Sequence, residues 1–318
     1  MTMLSHGASA RENYQNLRLF RHRCLLKTFE KSSKPFRLTE EHPTTRLLRR
    51  AKSSLAAART FLQANEVING LPLGIAQQVA TTDRYPTAYF ATVERNDAII
   101  AAAVMTPPHN LILTGDPAAI PALTSMMDAR AWPVPGSIAA RPLVDQFAGY
   151  WAAQHGITQT VSMVQRLFRL TEAIAPKRLA PGEMRPASET DIPTLAEWLE
   201  AFHVEAVPHD PPHEDYEALV QAQLENYAVW VVAGKVVSMI GKARPGENRI
   251  SVGPVYTPPD QRGRGYASHL TAAFSQHLLD AGYRFCTLFT DLANPTSNSI
   301  YQQIGYCAVC DFAMITFG

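Results

Sequence analysis

The chain has 318 residues, of which 46% are hydrophobic and 18% charged, with a formal net charge of +1. This composition describes a soluble globular protein long enough for two domains, and no stretch approaches the roughly 18 apolar residues of a membrane span. Charge is uneven: residues 1–50 hold eleven of the 29 Lys/Arg but only four of the 28 Asp/Glu, so a basic extension precedes an acidic body. Residues 1–46 read as a poorly ordered surface tail. Glu12, Glu30, Glu40 and Glu41 argue against a transit peptide, and no aromatic or glycine-rich pattern makes the tail a nucleic-acid arm. Cys24, Cys286, Cys307 and Cys310 suggest no disulfide framework and suit a reducing, cytoplasmic compartment. Cys307 and Cys310 lie three apart in a strand-like run, which puts them on opposite faces. Both read as structural cysteines, and no metal site is expected.

From about Thr44 the chain becomes globular. Leu55, Ala58 and Leu62 have helical spacing, predicting a helix over 55–66. Residues 88–94 and 98–105 read as strands around an Asn96-Asp97 turn. Pro107-Pro108 interrupts, and Leu111 to Leu113 resumes a strand. Residues 118–129 and 143–154 read as helices, and 161–170 as a strand. Pro176, Pro181, Gly182 and Pro186 then mark a linker. It divides the body into units at 47–178 and 183–318. The second unit opens with Ser188-Glu189-Thr190-Asp191, a helix-start cluster ahead of the apolar face of Leu195, Trp198, Leu199 and Phe202. A helix over 216–227, a hairpin over 229–240 and a strand over 249–256 follow. Beyond them a helix from Ala267, a short strand at 285–289, a helix at 294–303 and strand text over 306–317 complete the chain. Antiparallel strands followed by strands alternating with helices predict an α+β fold, a mixed, mostly antiparallel sheet flanked by helices.

The stretch Gln261-Arg262-Gly263-Arg264-Gly265-Tyr266-Ala267 leaves a strand and opens a helix. Such a turn presents free backbone N–H groups at a positive helix end, a site for phosphate or pyrophosphate. Gly263 and Gly265 let the backbone turn tightly, and Arg262 and Arg264 add charge that can pair with phosphate oxygens. A nucleotide-hydrolysing P-loop is excluded by the missing Lys-Ser/Thr. The glycines only loosely imitate a dinucleotide fingerprint, and no βαβ unit surrounds them.

The stretch 262–306 resembles the GNAT superfamily of acyl-CoA-dependent N-acetyltransferases. The glycine turn matches that family's Gln/Arg-x-x-Gly-x-Gly/Ala loop. Asn294-Pro295-Thr296-Ser297-Asn298-Ser299-Ile300-Tyr301 is similar to its Asn-x-x-(small)-x-x-(apolar)-Tyr helix, and Gly305-Tyr306 stands where relatives carry Gly-Phe or Gly-Tyr. The resemblance implies that acetyl-CoA is the co-substrate and that the strand before the glycine loop splays from its neighbour to admit the pantetheine arm. It implies backbone contacts to that arm from Val255, Tyr256 and Thr257. It also implies a pyrophosphate cradle of N–H groups from Arg262, Gly263, Arg264, Gly265, Tyr266 and Ala267, with Asn294, Ser297 and Tyr301 completing the cofactor site. Asn294 before Pro295 is also a good helix N-cap, and the two roles are compatible. Tyr301 stands at the position that protonates the departing thiolate, or it packs in the core beside Ile300 and Ile304.

An amine nucleophile must also lose a proton. Glu205, His203, His209, Asp210, His213, Glu247 and Asp291 are candidate bases, with Glu205 and Asp291 preferred. Gly253 stands where many relatives carry an acidic residue, which puts a base on that strand in doubt. The first half has a similar cadence, with Gly115-Asp116-Pro117-Ala118 in place of the glycine loop. It reads as a degenerate copy that does not bind CoA and helps complete a substrate cleft. The expected activity is acetyl transfer from acetyl-CoA to a primary amine of a small molecule or peptide, by direct attack in a ternary complex. The alternative is a non-catalytic acyl-CoA sensor or interaction protein. Neither nucleic acid nor membrane is an expected partner.

Overall fold

The computed structural model describes residues 44–47 and 51–318 apart from 83, 84, 86 and 209. Residues 1–43 of the basic tail, His209 and the side chain of Leu55 lie outside the described residues, whereas 44–46, read as the end of that tail, begin a strand. The described residues fall within one compact unit. None of their helices is long and apolar enough to cross a membrane.

The first half runs β1 (Thr44–Leu47), α1 (Ala51–Gln63), α2 (Gly70–Thr81), β2 (Tyr89–Arg95), β3 (Ala98–Met105), β4 (Leu111–Gly115), α3 (Ile120–Ala129), β5 (Gly136–Ala140), α4 (Leu143–His155) and β6 (Gln159–Leu170). The second runs β7 (Glu183–Pro186), α5 (Ile192–Ala206), α6 (Tyr216–Ala222), β8 (Tyr227–Val232), β9 (Lys235–Ala243), β10 (Arg249–Tyr256), α7 (Tyr266–Asp280), β11 (Phe285–Asp291), α8 (Pro295–Gln303) and β12 (Cys307–Phe317). Element for element the two halves repeat one pattern. Helix α2 and strands β1, β5 and β7 were not anticipated from periodicity. The segment of α2 is apolar almost all round, and the three strands are only four, five and four residues long.

The twelve strands of the described residues form one sheet in the order β1-β2-β3-β4-β5-β12-β6-β11-β10-β9-β8-β7. The order is nearly palindromic, and the last strands of the halves are exchanged. Strand β6 pairs with β11 of the second half, while β12 pairs with β5 of the first. In each half the pair around the central crossover, β4–β5 and β10–β11, is parallel. Helices α3 and α4 cover one face of the first-half sheet through Leu123, Met127, Phe147 and Trp151. Helices α1 and α2 cover the other through Ala58, Leu62, Leu73 and Ala76. In the second half α7 packs through Leu270, Phe274 and Leu278, and α5 through Leu195, Trp198 and Leu199 on the opposite face.

A buried polar joint also links the halves. Glu66 accepts from the backbone N–H and side-chain amide of Asn248 (3.1 and 3.3 Å). The wholly buried Arg249 donates to the Gly70 carbonyl. Burial, then the neighbouring Arg244, lowers the Arg249 pKa to about 10. At the exposed rim of this joint Glu247 accepts from Gln63 (2.9 Å).

The helix-start cluster forms as its residue types dictate. Asp191 accepts from the Ser188 N–H and hydroxyl (both 2.8 Å) and from both terminal nitrogens of Arg185 on β7 (2.6 and 2.9 Å). The Arg185 hydrogen bond is the main reason its pKa falls from 3.8 to about 2. Its side chain is 5% exposed. The unfolded chain binds this proton more readily, so the contribution is fully present above the unfolded pKa and is lost as pH falls towards 2. It amounts to about 2 kcal/mol. Asp191→Asn is expected to flatten the fall in urea midpoint between about pH 5 and pH 2; a slope matching the wild type would contradict this.

The Cys307/Cys310 geometry differs from expectation. A bulge between Ala308 and Cys310 sets Cys307 opposite Arg169 and Cys310 opposite Leu167. Since Arg169 and Leu167 are two apart, the two cysteines share a face. Among the described residues no three His, Cys, Asp or Glu side chains gather as a metal site.

Candidate active site

Strands β10 and β11 pair at Arg249↔Phe285, Ile250↔Cys286 and Ser251↔Thr287 and then part, although β10 runs on to Tyr256 and β11 to Asp291. The local cause is Gly253-Pro254. The register against β9 shifts between Val252 and Val255, Gly253 has φ +135°, and Pro254 has no N–H to give to a ladder. The gap is the mouth of a groove of about 760 Å³. Val252 to Thr257 form one wall and Leu288 to Asp291 the other.

One end of the groove is the glycine turn. Gly263 (φ +75°) and Gly265 (φ +86°) take the left-handed conformation, and Gly265 is the N-cap of α7. Among the described residues no side chain caps this helix, so its first N–H groups have no intrahelical acceptor and no local substitute there. Behind the turn, His269 Nδ1 bonds the Gly265 carbonyl (3.0 Å) while its Nε2 accepts from the Ala180 N–H (3.4 Å). The ring thereby bridges the glycine turn and residue 180.

Tyr301 lines the same groove from α8. Its ring meets Phe168 and Tyr306 (centroids 6.3 and 5.9 Å apart), and no described side chain hydrogen-bonds its phenol. Burial pushes its pKa to about 12, so near neutral pH it is a protonated donor facing the groove. Asn294 Oδ1 accepts from the Ser297 N–H (3.0 Å), which is the expected N-cap, with Pro295 at the first helical position. Asn294 and Ser297 also line the groove.

Of the candidate bases, Glu205 and Asp291 line the groove; His203, Asp210, His213 and Glu247 do not. His203 bonds the Asp210 carbonyl (2.8 Å), and the rings of His203, His213 and Tyr216 pack edge to face. Asp291 Oδ1 accepts from the Ala293 N–H (2.8 Å). Glu205, at the end of α5, is held by Arg262 Nη2 (2.7 and 3.1 Å) and by the Tyr256 hydroxyl (3.3 Å). Burial first, and Glu205 second, raise the Tyr256 pKa.

The guanidinium of Arg262, which lines the groove, is therefore engaged by a carboxylate. Its Nε also donates to the Thr257 carbonyl (2.8 Å). Arg264 braces the turn by donating to the Asp260 carbonyl (3.1 Å). Val255 and Tyr256 pair with Ile240 and Met239 of β9, and the Tyr256 carbonyl accepts from Ser238 (3.0 Å). Sequence reasoning missed His269, Lys177 and Arg178 as groove residues. The first stands one helical turn after Gly265, a spacing that could have marked it, whereas the other two sit in a segment read only as linker.

Strands β10 and β11 thus splay on a mixed sheet, with the uncapped N-terminus of α7 lining the groove between them. Residues 192–306 match the model of the acetyltransferase (GNAT) family, and this part of the chain is a GNAT domain. The chain is similar in fold to a GCN5-related N-acetyltransferase from Sphaerobacter thermophilus (16% identity, 86% of this chain and 95% of that one, TM-score 0.59). It is also similar to a GNAT-family acetyltransferase from Colwellia psychrerythraea (12%, 86% and 98%, 0.54). A tandem GNAT protein from the clavulanic acid biosynthesis pathway aligns over 87% of this chain and 98% of its own (10%, 0.52). No curated protein matches the sequence.

Proposed function

We propose that the chain is an N-acetyltransferase that moves an acetyl group from acetyl-CoA to a primary amine by direct attack in a ternary complex. The observation that carries this reading is one groove lined by both the uncapped N-terminus of α7 and Tyr301. The fit to acetyl-CoA rests on the N–H groups around Gly265, which can take a pyrophosphate at no cost in side-chain desolvation. Bound acetyl-CoA would supply an activated acyl carbon and a thiolate leaving group.

Asp291 accepts the proton that the attacking ammonium must lose, directly or through water, because its rival Glu205 is already neutralised by Arg262. As the new C–N bond forms and the C–S bond breaks, Tyr301 gives its proton to the sulfur and regains one from solvent. Residues 47–178 act as a second unit of the same pattern that holds no CoA. At its equivalent helix start Asp116 accepts from the Ala118 N–H (2.9 Å) and pairs with Arg95 (2.7 Å), so an internal carboxylate sits where an anion would bind. The acceptor is an amine-bearing small molecule or peptide.

The test is release of free CoA thiol from acetyl-CoA across a panel of polyamines, amino acids, amino sugars and peptides. Turnover on at least one class supports the reading. Tight CoA binding with no turnover on any amine would instead make the chain a non-catalytic acyl-CoA sensor. Gly265→Val forces a β-branched residue into a left-handed backbone, which costs about 1–2 kcal/mol. It also misaims the N–H groups, so CoA affinity is expected to fall about tenfold or more. Equal calorimetric affinities for the variant and the wild type would contradict that role.

A further inference from the structure

Residues 171–182 join β6 to β7 without helix or strand, yet they are pinned at both ends. The Ala173 N–H donates to Gln276 of α7 (3.4 Å) and the Ile174 N–H to the carbonyl of Ile304, the residue that ends α8 (2.9 Å). Further on, the Ala180 N–H donates to His269 in the first turn of α7 (3.4 Å), and the Trp230 ring N–H to the Pro181 carbonyl (2.9 Å). The pins force close approach. A side chain at Gly305 would stand 2.7 Å from the Glu172 carbonyl, and Gly305 has φ +103°. Residues 175–179 thus run from the end of α8 to the start of α7, and Pro176, Lys177 and Arg178 line the groove.

We propose that this segment is a cationic strap that holds phosphate groups of the bound acyl carrier through Lys177 and Arg178. The inference rests on the acyl-CoA reading of the groove. The lysine and arginine side chains lining the groove are Lys177, Arg178 and Arg262. Arg262 is engaged by Glu205, whereas neither Lys177 nor Arg178 has an ion-pair partner among the described residues. A helix terminus supplies about half a positive charge, and a single phosphomonoester carries about −1.5 to −2. A ligand with a pyrophosphate and a phosphomonoester therefore needs further cations, and the strap is where the groove has them unpaired.

The full-length double variant Lys177→Ala/Arg178→Ala is expected to bind CoA at least about tenfold more weakly by calorimetry, with an unchanged thermal midpoint. The charge-preserving pair Lys177→Arg/Arg178→Lys is expected to stay within about threefold of the wild type. Dephospho-CoA, which lacks the 3′-phosphate, identifies the phosphate held. A matching loss for both ligands assigns the strap to the pyrophosphate, and a loss confined to CoA assigns it to the 3′-phosphate. A wild type that binds CoA and a double alanine variant that binds it equally well would overturn the strap. A wild type that binds no CoA would instead overturn the acyl-CoA reading on which the strap depends.

Discussion

Tyr301→Phe is expected to lower acetyl-transfer turnover by about a hundredfold or more while leaving CoA affinity nearly unchanged. The variant removes one hydroxyl that no described side chain uses, so the fold loses no hydrogen bond. The ring contacts with Phe168 and Tyr306 survive. What disappears is a phenol donor that is protonated near neutral pH, its pKa pushed further up by burial to about 12. A free thiol has a pKa of about 8.5, so without that donor the leaving sulfur departs with more charge. The loss should be largest for poor acyl donors and smallest for activated aryl thioesters, whose thiolates need no proton. Unchanged turnover with acetyl-CoA would remove Tyr301 from the chemistry and leave it a packing residue.

Phe168→Ala is expected to destabilise the protein by about 3–5 kcal/mol. Phe168 has 0% exposure, near the middle of the sheet. It stands opposite Leu288 of β11 on one side and Ala308 of β12 on the other. Little can collapse into the vacated space, since β6 is held by both neighbours. Because β6 belongs in sequence to the first half and in pairing to the second, both halves should lose stability in one transition. Urea unfolding followed by tryptophan fluorescence and by circular dichroism should give coincident curves with a lowered midpoint. Two separated transitions, or a loss under about 1 kcal/mol, would contradict the exchanged-strand account. Turnover should fall as well, since the cavity opens beneath the Tyr301 ring.

The local features of the site were legible because short-range chemistry sets them. Ser188 with Asp191, Asn294 with Pro295, and Gly263 with Gly265 each announce a helix start through residue type and spacing alone, and each forms as expected. The splay of β10 was implied by family resemblance, and Gly253-Pro254 supplies its physical cause. Long-range pairing was not legible. Nothing in the alternation of 159–170 says that this strand inserts between β11 and β12, because alternation specifies which face a side chain takes and not which strand lies beside it. The orientation of Arg262 was hidden for a related reason. Its charge suits a phosphate or a carboxylate equally, and only the fold brings Glu205 from α5 within 2.7 Å. The bulge that brings Cys307 and Cys310 to one face depends on pairing with β6 and leaves no mark in the sequence between them. Lys177 and Arg178 were passed over because a proline-rich linker gives no sign of what it crosses.

The most direct measurement is a crystal structure of the full chain with CoA. The account predicts one CoA in the groove between β10 and β11, its pyrophosphate on the N–H groups from Gly263 to Ala267 and its sulfur within about 3.5 Å of the Tyr301 hydroxyl. CoA bound elsewhere on the chain, or lying in the groove with its sulfur directed away from Tyr301, would contradict it.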